Sequence, residues 1–151
     1  MIIHDTFTIE RTFDTSVARL YEAFADPAIK AKWFGGGEEW TPLERSVDFR
    51  VGGREIDHGR HASNFESRFV GTYHEIVPNE RIVFVYDLYV NGQLLSITLA
   101  TAEMSAKGKS ARLAYTEQSV YFETSFAPVK DGPASRKQGT EQIMDQLARL
   151  F

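Results

Sequence analysis

The sequence contains no cysteine. Disulfides, thiol catalysis, Cys-ligated zinc and iron–sulfur clusters are excluded with it. No apolar run approaches the ~20 residues that span a bilayer, and no basic-then-apolar start resembles a signal peptide. Together these absences set the expectation of a cytoplasmic protein without stable membrane insertion. Cations are in the minority, with 17 Lys and Arg against 21 Asp and Glu and a net charge of −4. A broad nucleic-acid surface needs clustered Lys and Arg, so nucleic acid is not an expected partner. Gly-x-Ser-x-Gly, His-Glu-x-x-His and dinucleotide-binding patterns are all missing, and nothing calls for a cofactor. Internal repeats, low-complexity segments and long linkers are missing too.

What is present is a chain of 151 residues rich in aromatics, with eleven Phe, six Tyr and two Trp. Its length fits one domain, 1–151, with a core that needs no staples. "FTIERTF" alternates, Phe7, Ile9 and Phe13 against Thr8, Glu10 and Thr12, and reads as a half-buried strand. Thr15 or Ser16 caps a short helix to about Phe24, and Asp26-Pro27 starts a second that ends near Trp33. Beyond lie "RSVDFRVGGREIDHG", "FESRFVGTYHEIV", "RIVFVYDLYV", "LLSITLATAEM" and "SARLAYTEQ". Gly52-Gly53, Pro78-Asn79, Asn91-Gly92 and Lys107-Gly108 punctuate them as turns. An irregular stretch is expected over 119–132. The last segment reads as a helix capped at Ser135, with Ile143, Met144, Leu147, Leu150 and Phe151 in one apolar stripe. Gly139 marks either a close approach of this helix to the sheet or a ligand, or the place where the helix begins. One strand, two short helices, about six antiparallel strands and a long terminal helix make an α+β architecture, the helix covering one sheet face.

"KWFGGGEEW", residues 32–40, raises the question of a phosphate cradle. Such a loop needs a helix behind it and usually a Lys-Ser/Thr after it. Here Glu38 and Glu39 follow, and a strand comes next, so the cradle is rejected. The glycines read as a flexible corner from helix to sheet.

Side-chain parity gives the candidate interior. With Gly52-Gly53 as a two-residue turn, Val51 faces Arg54, Arg50 faces Glu55 and Phe49 faces Ile56. Inward Val47, Phe49 and Val51 then bring Arg54, Ile56 and His58 inward, and leave Arg50 and Glu55 as an outer ion pair. Arg54 is otherwise read as snorkelling to water near the turn. Leu113 anchors an inner set with Ala111, Tyr115 and Glu117. Ile82, Phe84, Tyr86 and Leu88 form another, and Phe69, Gly71 and Tyr73 a third. The result is either a wall of Phe, Tyr and Leu with a few polar points, suited to a small amphipathic ligand, or a solid core. "DHGRH" offers Asp57, His58 and His61 as metal ligands, but His pairs suit zinc only when both face one centre, and no metal site is assigned.

Taken together, "FTIERTFDTSVARLYEAFAD", "WF" at 33–34, "VDFRVGGRE", "GTYHEIVPNERIVFVYD", "ARLAYTEQ" and "GTEQIMDQLARL" resemble the START-like, helix-grip superfamily (SRPBCC). Within it they resemble the branch of the activator of heat-shock-protein-90 ATPase and of polyketide cyclase-like proteins. The resemblance covers nearly the whole chain. It implies a curved antiparallel sheet around a long C-terminal helix, with two short helices after the first strand. It also implies a cavity between sheet and helix, with the glycine corner at its rim beside Trp33, Phe34 and Trp40.

The expected function is binding of a small apolar or amphipathic molecule by Trp33, Phe34, Phe69, Tyr73, Tyr86, Tyr115, Glu117 and Ile143, with Arg54 and His58 as polar options. Two rivals stand beside it. An enzyme of cyclase, dehydratase or hydrolase type would need His58 and Glu117 converging on one point. A partner-binding module would need an exposed apolar patch and no cavity. Homodimerisation through Phe151 or a free sheet edge is left open.

Overall fold

The computed structural model describes residues 1–151. The elements are β1 (Ile2–Phe13), α1 (Val17–Ala25), α2 (Pro27–Lys30), β2 (Trp40–Val47), β3 (Arg54–His61), β4 (Glu66–Val77), β5 (Arg81–Val90), β6 (Gln93–Lys107), β7 (Ser110–Phe122) and α3 (Gly132–Ala148). All strands lie in one seven-stranded antiparallel sheet of order β1-β7-β6-β5-β4-β3-β2. The short helices carry the chain from one edge of this sheet to the other. This is the α+β arrangement that the order of sequence patterns predicted, and the helix-grip fold that the resemblance implied.

Local chemistry explains the joints. Ser16 caps α1 by accepting from Arg19 N at 3.2 Å, and Asp26 caps α2 through Ala28 N and Ile29 N. Asn91 and Gly92 both adopt positive φ in the β5–β6 turn, as a tight hairpin of matching twist requires. Register shifts at Pro42/Glu44, Tyr73/Glu75 and Leu88/Tyr89 insert extra residues that bend their strands. The inner face carries Phe7, Ile9, Phe13, Phe84, Tyr86 and Leu113, packed with Leu20 and Phe24 of α1 and with Met144 and Leu147 of α3. Arg11 on β1 reaches Asp145 on α3 at 2.7 Å. No helix is long and apolar enough to cross a membrane.

Three expectations of element boundaries are corrected. β7 runs on to Phe122, because its second half pairs on both sides, with Ser96 to Leu99 of β6 and with the first residues of β1, Ile2 opposite Phe122 and Asp5 opposite Ser119. The helix α3 begins at Gly132, so Ser135 lies within it rather than at its cap. Gly139 is therefore mid-helix and does not mark a start.

The third correction has the largest consequence. The β2–β3 connection is the loop 48–53, not a two-residue turn. Gly52 N donates to Tyr73 O and Tyr73 N to Gly53 O, so the loop is stitched to β4. Val47 consequently lies opposite Glu55, where the tight turn would have placed it opposite His58. A slip by an odd number of residues exchanges the two faces of a strand. Glu55 goes inside and Arg54 and His58 go outside. Arg50 pairs with Asp48 at 2.8 Å instead of Glu55.

Candidate functional site

The inner face of the sheet and α3 do not close on each other. Between them lies a cavity of about 700 Å³. β4, β5 and β7 supply Phe69, Phe84, Tyr86, Leu88, Tyr115 and Glu117 to its wall, and α3 supplies Arg136, Gly139, Thr140, Ile143 and Met144. Exposed Gly37, Glu38, Glu39 and Gln142 form its rim. Aromatic and aliphatic side chains make up much of the wall, and Lys30, Arg45, Asp57, Glu117 and Arg136 are charged points on it.

Of the residues singled out from sequence, Trp33, Phe34, Phe69, Tyr86, Tyr115, Glu117 and Ile143 stand on this wall. Trp33 is 2% exposed and donates its indole N–H to Ala23 O at 2.9 Å, so it is a fixed part of the core rather than a gate. Tyr73 is buried behind the wall. Arg54 is exposed, and His58 faces Glu66 at 3.0 Å beside Arg68 and Tyr89 on the outer side. The tight-turn register placed His58 inward and Arg54 either inward or snorkelling to water, and the longer loop turns both outward. His58 and Glu117 therefore do not converge. His61 meets Glu39 and Ser63 instead of sharing a centre with His58, and no group of three or more metal-ligating side chains is assembled.

The glycine corner has a steric reason. Gly35 and Gly36 have φ of +102° and +89°, which L side chains rarely adopt. A Cβ on Gly35 would press on the Asp57 carboxylate, and one on Gly36 would fall on the Trp40 ring. The corner brings backbone against both.

Two polar clusters adjoin the cavity. In the first, Lys30 and Glu55 are 4% and 1% exposed. Lys30 Nζ donates to Glu55 Oε1 at 2.6 Å, Arg45 Nη1 donates to Oε2 at 2.9 Å, and the Tyr73 hydroxyl donates to Oε1. The ammonium also lies over the Phe34 ring, 4.6 Å from its centroid. Burial pushes the Lys30 amine below its ordinary range, and the Glu55 charge opposes that without cancelling it. Burial works to raise the Glu55 carboxyl, but Lys30, Tyr73 and Arg45 outweigh it and hold the group below its usual value. Burial raises the carboxyl of neighbouring Asp57. Lys30, Arg45 and Asp57 reach the cavity wall while Glu55 stays behind it.

In the second cluster, Glu117 on β7 is 2% exposed. Its Oε2 accepts from the Tyr86 hydroxyl at 2.8 Å and from the Tyr115 hydroxyl at 2.7 Å. Its Oε1 is buried with no partner, and so is Nε of Arg136 on α3. Burial, and then the Glu117 charge, raise both tyrosine hydroxyls above their normal range. Burial acts to lower the Arg136 guanidinium, but Tyr86 and Glu117 prevail and push it up.

Sequence reasoning missed Lys30, Glu55, Arg45 and Arg136. Glu55 was lost to the turn length. Arg136 and Thr140 carried a usable signal, since they precede Ile143 by seven and three residues and so continue its stripe around the helix. Lys30 carried none.

Gly139 sits one turn beyond Arg136, where a Cβ would come within 3.3 Å of Arg136 Nη1. Ala gains about 1 kcal/mol over Gly in a helix interior. The crowded atom is the free end of a flexible side chain, so Gly139→Ala is expected to stabilise the protein by about 0.5–1 kcal/mol. A raised midpoint in urea denaturation checks this, and a lowered one would mean that the guanidinium is clamped in place.

The comparisons agree with this architecture. A protein from Rhizobium loti of known structure is 37% identical, covers 100% of this chain and 99% of its own, and superposes with a TM-score of 0.88. An uncharacterized protein from Rhizobium leguminosarum is 31% identical over 98% of this chain and 94% of its own, with a TM-score of 0.89. The AHSA1-like protein from Aeromonas hydrophila, at 20% identity, covers 96% of this chain and 90% of its own and shares the fold, with a TM-score of 0.71. No functionally curated protein matches the sequence. The family model described as "Activator of Hsp90 ATPase homolog 1-like protein" matches residues 14–151, and the chain belongs to that family.

Proposed function

We propose that the protein binds a small amphipathic molecule in the cavity between the sheet and α3. The observation that supports this reading is the pairing of a cavity of about 700 Å³ with buried polar atoms beside it that have no protein partner. Ligand pockets of this size, apolar over much of their wall and with a few placed polar groups, are the ordinary architecture of small-molecule sites. A buried unsatisfied acceptor costs roughly 1–3 kcal/mol, which a ligand group supplying the missing hydrogen bond would recover. Binding is favoured over catalysis because the one acid–base pair that the sequence suggested, His58 with Glu117, is split between the two faces of the sheet.

Native mass spectrometry of the purified protein, followed by a thermal-shift panel of aromatic and aliphatic amphiphiles, tests the reading. At least one compound should raise the melting temperature. Ile143→Trp, which fills the space from the half-buried face of α3, should abolish that shift while leaving the unliganded protein folded. A shift of undiminished size in the Trp variant would move the site elsewhere.

A further inference from the structure

Resting on that reading, the structure also constrains the head group of the ligand. At its Glu117 end the cavity has one buried acceptor without a partner, Glu117 Oε1 on β7, and one buried donor without a partner, Arg136 Nε on α3, whereas the unpartnered Arg45 Nε and Nη2 belong to the Lys30–Glu55 cluster. The two charges at this end are opposite and cancel. An anionic or cationic head group would leave one net charge buried, which is costly unless paired. A pure hydrocarbon would leave both orphan atoms unsatisfied. A hydroxyl donates one hydrogen bond and accepts another without adding charge. We infer that this end of the cavity selects an uncharged hydroxyl head group, an alcohol or phenol, over the carboxylate of the same skeleton.

The tyrosines sharpen the selection. Both of their hydroxyl protons are already committed to Glu117 Oε2. They have no donor left for a ligand carboxylate, so Arg136 alone would face two carboxylate oxygens while Glu117 repelled them.

Isothermal titration with 4-butylphenol, 4-butylbenzoate and butylbenzene tests the assignment. The phenol should bind at least about tenfold more tightly than either analogue, a difference of about 1.4 kcal/mol. Glu117→Gln supplies the counter-test. The Gln oxygen can take the tyrosine hydrogen bonds, and its amide N–H then stands where Oε1 stood. The end becomes donor-only, so the preference should reverse toward the benzoate by about tenfold. Should that variant misfold, Arg136→Gln on the half-buried side of α3 serves instead: a neutral amide donor remains but the positive charge is gone, so phenol binding should weaken and benzoate binding should be lost, and equal weakening of the two overturns the assignment.

The outcomes separate cleanly. No binding of any of the three by the natural protein overturns this inference, and together with no shift across the amphiphile panel it overturns the cavity reading as well. Comparable binding of all three, a wild-type preference for benzoate, or an unchanged preference in Glu117→Gln overturns the head-group assignment alone.

Discussion

Replacing Glu55 by Gln is expected to cost about 3–5 kcal/mol, the range for breaking a buried ion pair by removing one partner. Glu55 is the only carboxylate that Lys30 touches, at 2.6 Å, and it also receives Arg45 and the Tyr73 hydroxyl. Without its charge, a buried ammonium is left facing a guanidinium. Lys30→Met should cost less, since Arg45 and Tyr73 still hold the carboxylate. Urea denaturation at pH 7 measures both, and a loss below about 1 kcal/mol for Glu55→Gln would show that the cluster is solvated rather than sealed.

The pH dependence follows with a definite sign. In the folded state Glu55 holds its proton more weakly than its ordinary value of 4.5 implies. Its contribution is therefore complete above about pH 4.5 and drains away as pH falls through the lower folded value. Lys30 runs the other way. Its folded value lies below 10.5, so between the two the unfolded chain binds the extra proton and stability rises with pH. Glu55→Gln removes the strongest influence holding Lys30 protonated. The variant should lose the acid limb of the wild-type profile and recover part of its stability as pH climbs toward the lysine range.

The second large effect is expected at Glu117. Tyr86→Phe or Tyr115→Phe alone removes one hydrogen bond to a charged acceptor, about 1.5–3 kcal/mol, and leaves the other in place. The double variant leaves a 2%-exposed carboxylate with neither tyrosine donor. It should cost about 3–5 kcal/mol, as for a buried charge stripped of its partners. The two changes share one acceptor, so their effects are coupled and a double-mutant cycle reports the coupling directly. A double variant no less stable than either single one would mean that Glu117 is held by something other than the two phenols. The phenyl ring keeps the shape of each site, so lost packing contributes little to the difference.

How much of this was legible in the sequence depended on the kind of signal. Alternation placed Phe69, Phe84, Tyr86, Tyr115 and Glu117 on the inner face correctly, because in a sheet with one buried side the period of two admits a single solution per strand. The Asp26-Pro27 cap was legible, and the α1 cap was narrowed to Thr15 or Ser16, because capping is decided within a few residues. The β2–β3 register was not. Gly52-Gly53 looks like a two-residue turn on its own, but its conformation is settled by the backbone of Tyr73, twenty residues on. One loop length then inverted Glu55, Arg54 and His58 together. The burial of Lys30 was illegible for the same reason in another form. Its partner is on a strand whose facing could only be known after that register was. Ser119 and Tyr121 were misread as irregular because tertiary pairing on both sides sets their conformation, with Thr98 and Ser96 on β6 and with Asp5 and Ile3 on β1.

That pairing has a consequence for how the molecule is made. β1 bonds only to β7, with Phe13 opposite Ala111 and Ile2 opposite Phe122. On a ribosome β1 must wait unpaired, with Phe7, Ile9 and Phe13 on one side, until residues 110–122 have been synthesised. Closing so large a loop is slow, and a waiting strand is a template for other chains. Truncated products ending before residue 110 would carry that strand with no mate, and they are the species for which aggregation, rather than folding, is the downhill path.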